Sequence, residues 1–273
     1  MQCLVQNWLE FGKIKALMND QIYMLLGPIV LIHFFYAIAV VKKNLSVIDT
    51  AWGLGFILIV LAGCILNGWQ NIRENIQLIL VSLWGARLAI FIHSRNTGKG
   101  EDFRYANWRK EWGEKTNLIA YFKVYWLQFF LMLIAGLPLF AGHSSNDGLI
   151  WINYLGIGIW LVGLLWESIA DYQKGQFKAI AANQHKICQS GLWKFSRHPN
   201  YFGEFFLWWG IALVALDGYN NWALIGPAFL TLLLWKVSGV PLVEQRHEKN
   251  PDFQAYKDST PVLIPSLKKM FTR

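Results

Sequence analysis

Apolar residues run along the chain in seven long blocks separated by polar connections. They fall at about 21–41, 47–67, 75–93, 118–140, 149–170, 202–216 and 221–241. A helix needs about 20 apolar residues to cross the hydrocarbon core of a bilayer. The pattern therefore predicts an all-α polytopic membrane protein, a bundle of seven membrane-spanning helices. The sixth block is the shortest and begins inside a polar motif. Residues 1–20 are mixed in character and read as an interfacial segment. Residues 21–273 read as one membrane domain, with no internal repeat, low-complexity tract or proline-rich linker.

Composition supports that class. The 273 residues are 55% apolar and 15% charged, against about 25% charged in an average soluble chain. Mean hydropathy is +0.30. A soluble core of this size cannot hide so much apolar surface, and disorder, collagen and coiled coil are excluded on the same numbers. Three cysteines without a CxxC pair give neither a disulfide framework nor a zinc signature, and no metal site is expected. The first residues lack the basic, apolar and small-residue order of a signal peptide.

The net charge of +8 reads as topology rather than nucleic-acid binding. Nineteen Lys and Arg fall in the connections on one side of the seven blocks and three on the other. Basic loops stay in the cytoplasm, so the N-terminus is expected outside and the C-terminus inside. The long connections 94–117, 171–201 and 242–273 share the basic side, where an active site is expected to face the cytoplasm. The membrane itself is expected to be of bacterial inner-membrane or endoplasmic-reticulum type.

Ionisable residues inside spans are costly and point to function. Asp49 opens the second block and reads either as a helix cap or as a site. Arg87 lies inside the third and reads as an ion pair or a ligand contact. Glu167 and Asp171, four apart, share a helix face and call for a cation, an amide or ribose hydroxyls between them. The densest constellation runs from Gly191 through Lys194, Arg197, His198, Pro199, Asn200 and Tyr201 to Glu204. A proline in a first helical turn and free N–H groups there favour an anion. A juxtamembrane anchor explains the cations and aromatics, but not a following intramembrane Glu. Arg246, His247 and Tyr256 lie in the tail, which reads as an amphipathic helix. Gly156-Ile157-Gly158 lies mid-span with no strand before it, so a Rossmann reading fails.

These motifs resemble the DUF1295 membrane proteins of the steroid 5-alpha-reductase-like superfamily. The matching pieces are Ser46 to Gly53, Arg87 to Arg95, Glu101-Asp102-Phe103-Arg104-Tyr105, Asp171 to Lys174, Gly191 to Glu204, Trp208-Trp209-Gly210, and Gly239 through Pro265. The resemblance implies a membrane oxidoreductase that takes NADPH from the cytosol and reduces a C=C bond conjugated to a ketone. The substrate would be a steroid-like or other lipid, with no nucleic acid and no obligate protein partner.

The resemblance also assigns residues. Asn200 and Glu204 would hold the nicotinamide end, with His198, Tyr201 and Trp208 in the same motif. Glu167 and Asp171 would meet ribose or amide groups. Arg95, Arg104, Lys178, Lys186 and Arg197 would meet phosphates, with Arg87 and Tyr105 beside them. Arg246, taken as catalytic, His247 and Tyr256 would close the site from the tail. The catalytic acid would be Asp49. In sterol reductases a Gln-Glu pair and a Tyr touch the carbonyl; here the pair is Ile48-Asp49, and Trp84 stands at the Tyr position when Arg87 is aligned. Two other readings stand beside this one. The Arg-His-Pro-x-Tyr pattern also occurs in isoprenylcysteine-type methyltransferases, which use S-adenosylmethionine, and a non-enzymatic lipid-binding protein is the third.

Overall fold

The computed structural model describes residues 18–98, 100–144, 148–184 and 186–266. The expected interfacial segment 1–20 lies almost wholly outside them. The described residues form helices and no strand. In chain order the α-helices are α1 (Leu26–Lys42), α2 (Ala51–Leu66), α3 (Ile72–Asn96), α4 (Phe103–Trp112), α5 (Thr116–Ala120), α6 (Leu127–Ala135), α7 (Leu137–His143), α8 (Trp151–Ala179), α9 (Pro199–Ala215), α10 (Ile225–Leu232), α11 (Val240–His247) and α12 (Pro251–Ser259). Among the described residues six helical stretches are long and apolar enough to cross a membrane: Met18–Lys42, Leu45–Leu66, Ile72–Asn96, Phe103–Ala135, Trp151–Ala179 and Asn221–His247. The expected sixth span falls on α9, whose 17 residues rise only about 26 Å, short of a hydrocarbon core of about 30 Å.

The chain divides into two compact units, residues 1–150 with 214–223, and residues 151–213 with 224–273. In the first unit α2 and α3 run antiparallel, joined by a turn in which Gly68 and Trp69 take positive φ. Their closest approach is glycine on glycine. A Cβ on Gly53 would lie 2.2 Å from the carbonyl oxygen of Gly85. Such close backbone approach is how membrane helices associate where hydrophobicity gives no preference for protein over lipid. Ile32, Phe35, Leu45, Ile48, Tyr125 and Phe129 form the core that α1, the turn before α2 and the α5–α6 stretch share.

In the second unit α8 and α9 run antiparallel on a glycine seam. A Cβ on Gly210 would lie 2.6 Å from the carbonyl oxygen of Gly156, and one on Gly203 would lie 2.5 Å from the amide nitrogen of Glu167. Gly156, rejected above as part of a nucleotide fingerprint, thus has a packing role. The seam faces inward with Trp160, Glu167 and Asp171, while Leu165, Ile169 and Tyr172 face outward.

Candidate functional site

Sequence marked two places, one in each unit. In the first, residues 45–50 form a single tight 3-10 turn before α2, capped by Asn44, whose side chain accepts from the Ser46 amide. Asp49 ends this turn, yet it caps nothing. The cap position of α2 is Thr50, and the Asp49 carboxylate instead receives the Tyr105 hydroxyl at 2.7 Å and Arg104 Nη2 at 3.1 Å. The cap reading of Asp49 is thereby corrected: two side-chain donors arrive from α4 before the backbone is served. Arg104 Nε donates to Asp102 Oδ1 at 2.8 Å, and Asp102 also caps α4 through the Arg104 amide. Next to it, Glu101 takes Arg109 in a two-pronged pair at 2.8 and 2.9 Å and accepts the Leu45 amide at 2.6 Å. The segment 101–109 is thus clasped onto the turn that carries Asp49. Arg87 is half-buried on α3. Arg95 is exposed, with its guanidinium 5.8 Å from the Phe91 ring.

The second place is a basic cleft of about 410 Å³ in the second unit, lined by Lys174, Lys178, Lys186, Cys188, Trp193, Arg197, His198, His247, Phe253 and Tyr256, with Ile187 and Val243. Its floor is made by zipping the chain's tail onto the loop before α9. The amides of Arg197 and His198 donate to the carbonyls of Pro261 and Val262. Arg197 Nη1 donates to the carbonyls of Lys257 and Thr260, and the Tyr256 hydroxyl bonds the carbonyls of Trp193 and Ser196. Glu244 gathers the cations: Arg197 Nη2 at 2.9 Å, His198 Nε2 at 3.2 Å and Lys257 Nζ at 3.7 Å. Burial pushes the His198 imidazole below its usual pKa; Lys174 and Arg197 add to this, and Glu244 opposes it. Burial likewise pushes the Tyr256 phenol up.

The structure brings Lys178, Lys186, Arg197, His198, His247 and Tyr256 together as expected, but commits several of them. Lys178 Nζ donates to three carbonyls, those of Asn183, Gln184 and Lys186. Arg197 and Tyr256 hold the tail. Lys186 is exposed at the rim. Glu167 and Asp171 are both buried on one face of α8, as their spacing requires. Asn200, Tyr201 and Glu204 are half-buried at the start of α9, Trp208 is wholly buried, and Arg246 is exposed; none of these lines the cleft.

Sequence reasoning gave no role to Lys174, which sits 4.4 Å above the Trp193 ring. A signal existed: Glu167, Asp171, Lys174 and Lys178 follow a helical stripe of four, three and four residues. Glu244 and Asp102 were missed as well. So was a buried polar cluster at the far end of α2, where Glu74 meets His143 Nδ1 at 3.0 Å and Asn67 at 2.8 Å, and Arg73 donates to the Gly148 carbonyl at 2.6 Å.

Long apolar helices, inward carboxylates and a basic cleft define an integral membrane protein with a polar site. The chain belongs to the DUF1295 family, described as proteins of unknown function, whose model matches residues 35–260. It is 23% identical to an uncharacterized protein of Schizosaccharomyces pombe over 98% of this chain and 86% of that one. It is 29% identical to human 3-oxo-5-alpha-steroid 4-dehydrogenase 1 over 41% of each chain. To the very-long-chain enoyl-CoA reductase of Dictyostelium discoideum it is 28% identical over 42% of this chain and 36% of the other. The chain thus spans less than half the length of the reductases it matches. No solved structure matches it.

Proposed function

We propose that this chain is a membrane oxidoreductase that uses NADPH to reduce a C=C bond conjugated to a ketone in a steroid-like or other lipid. Two relatives named as a steroid 4-dehydrogenase and an enoyl-CoA reductase support the reductase class. The observation that carries the cofactor reading is the cleft itself. It joins cations to flat aromatic faces, Lys174 and Lys186 beside Trp193, His247 and Phe253, a donor set that suits a phosphate-bearing nucleotide. Lys174 and Lys186 would meet phosphate oxygens, and Arg197, His198 and Tyr256 would hold the cleft in shape. Asn200 and Glu204 would face the nicotinamide end.

The bound cofactor supplies the hydride. As it reaches the β-carbon, negative charge grows on the ketone oxygen, and a donor must meet it there. Asp49 is the proposed acid: its side chain is 18% exposed, whereas Tyr105 behind it is 2% exposed. The basic excess of one set of connections places the N-terminus outside, the C-terminus inside and the site toward the cytoplasm.

The test is thermal unfolding of the detergent-solubilised protein with NADPH, NADH or S-adenosylmethionine. NADPH is expected to stabilise most, by an amount that grows with its concentration over its dissociation constant. Stabilisation by S-adenosylmethionine and not by NADPH overturns the reading in favour of a methyltransferase.

A further inference from the structure

The guanidinium of Arg104 is shared. Its Nη2 serves Asp49 at 3.1 Å and its Nε serves Asp102 at 2.8 Å. Two carboxylates therefore divide one cation. The neighbouring ions do not change that count. Glu101 is matched by Arg109, and Arg95 on α3, which also acts on Asp49, is exposed and screened by water. The remaining polar neighbours, Tyr105 and Tyr125, are neutral phenols. In a partly buried cluster a surplus carboxylate is unfavourable unless a proton completes the balance.

We propose that Asp102 is a positioning residue. By taking half of Arg104 it leaves Asp49 able to keep a proton that a full ion pair would expel. The Tyr105 hydroxyl, donating to Asp49 Oδ1 at 2.7 Å, fixes the carboxyl so that its other oxygen carries that proton. This inference deepens the reading of Asp49 as the acid. It also gives Arg104 a task other than binding phosphate, since a guanidinium already facing two carboxylates has no charge left for a third anion.

Opposite effects from Asp102 and Arg104 are the signature. Asp102→Asn removes the competing charge and keeps a side chain that caps α4 well; Arg104 then serves Asp49 alone. Arg104→Gln removes the cation from Asp49. The reaction is not needed to see either effect. The probe is the infrared carboxylic-acid C=O band of the purified protein, titrated with pH without cofactor or substrate, in wild type, Asp49→Asn, Asp102→Asn and Arg104→Gln.

The expected result is a band that Asp49→Asn abolishes. Its midpoint moves down by about 1–3 pH units in Asp102→Asn and up in Arg104→Gln, the range for a charge at contact distance. A band untouched by Asp49→Asn, or a midpoint that Asp102→Asn leaves in place or moves up, overturns the inference. Asp102→Asn decides alone if Arg104→Gln does not fold. The alkaline limb of the pH–kcat profile should move the same way, with NADPH affinity unchanged in Asp102→Asn. Absence of NADPH-dependent reduction in the wild type removes the functional reading and leaves the infrared result standing by itself.

Discussion

Arg197 and Glu244 meet at 2.9 Å, and the same guanidinium reaches the carbonyls of Lys257 and Thr260. One buried side chain thus joins the loop before α9, helix α11 and the tail. Removing one partner of a buried pair strands the other charge and costs about 3–5 kcal/mol. Arg197→Ala is therefore expected to lower the unfolding midpoint in detergent strongly. Tyr256→Phe, which loses a hydroxyl held by two carbonyls, should cost about 1–3 kcal/mol. Equal midpoints for Tyr256→Phe and wild type would contradict the tail's role as the floor of the cleft.

His198 gives this region a pH dependence. Its imidazole is held below the usual pKa by burial, so the folded state prefers it neutral. The unfolded chain takes up the proton first as pH falls. Stability is then fully present above about pH 6.5, the unperturbed value, and declines as pH drops through the folded-state pKa. Thermal unfolding between pH 8 and 5 should show that slope in the wild type and a smaller one in His198→Gln, which cannot be protonated.

The two lysines assigned alike from sequence should separate. Lys178 spends its protons on three carbonyls, so Lys178→Ala is expected to loosen the 183–186 turn, read as faster hydrogen exchange there. Lys186 stands exposed at the rim. Lys186→Ala should keep the unfolding midpoint and weaken NADPH roughly tenfold, the loss of one charge-assisted contact. An unchanged dissociation constant would remove Lys186 from the phosphate set.

The glycine seam sets where Glu167 sits. A methyl at Gly203 would lie 2.5 Å from the Glu167 amide nitrogen, and backbone cannot step aside as a flexible side chain can. Gly203→Ala is expected to force α8 and α9 apart and lower folded yield. Gly158→Ala on the same helix meets nothing within 4 Å and should behave as wild type. Similar yields for both would sink the seam as the organising contact.

Glu74→Gln should destabilise the first unit by removing a buried charge from His143, and should leave NADPH affinity unchanged. Binding and unfolding measured on one preparation distinguish that outcome from a cofactor role.

Much of the fold was legible because bilayer thickness dictates apolar run length, and run length survives in one dimension. Six of seven expected spans reappear on that basis, and the shared face of Glu167 and Asp171 follows from helical period. The partners of charged groups were not legible. Sequence grouped Arg104, Lys178 and Arg197 as phosphate ligands because each is a cation near the same motifs. Which acceptor a cation takes depends on which chain segment folds against it.

By itself, then, the sequence determined a helical membrane protein with a strongly one-sided charge distribution and the motifs of its family. Tertiary structure alone decided that Asp49 accepts rather than caps, that Arg104 is divided between two carboxylates, and that the tail from Tyr256 to Ser266 lies on the loop that carries Arg197 and His198. The reason is physical. Apolar burial is set residue by residue against lipid, whereas a hydrogen bond needs donor and acceptor within about 3 Å. Only the folded chain brings positions about 50 to 70 residues apart to that distance.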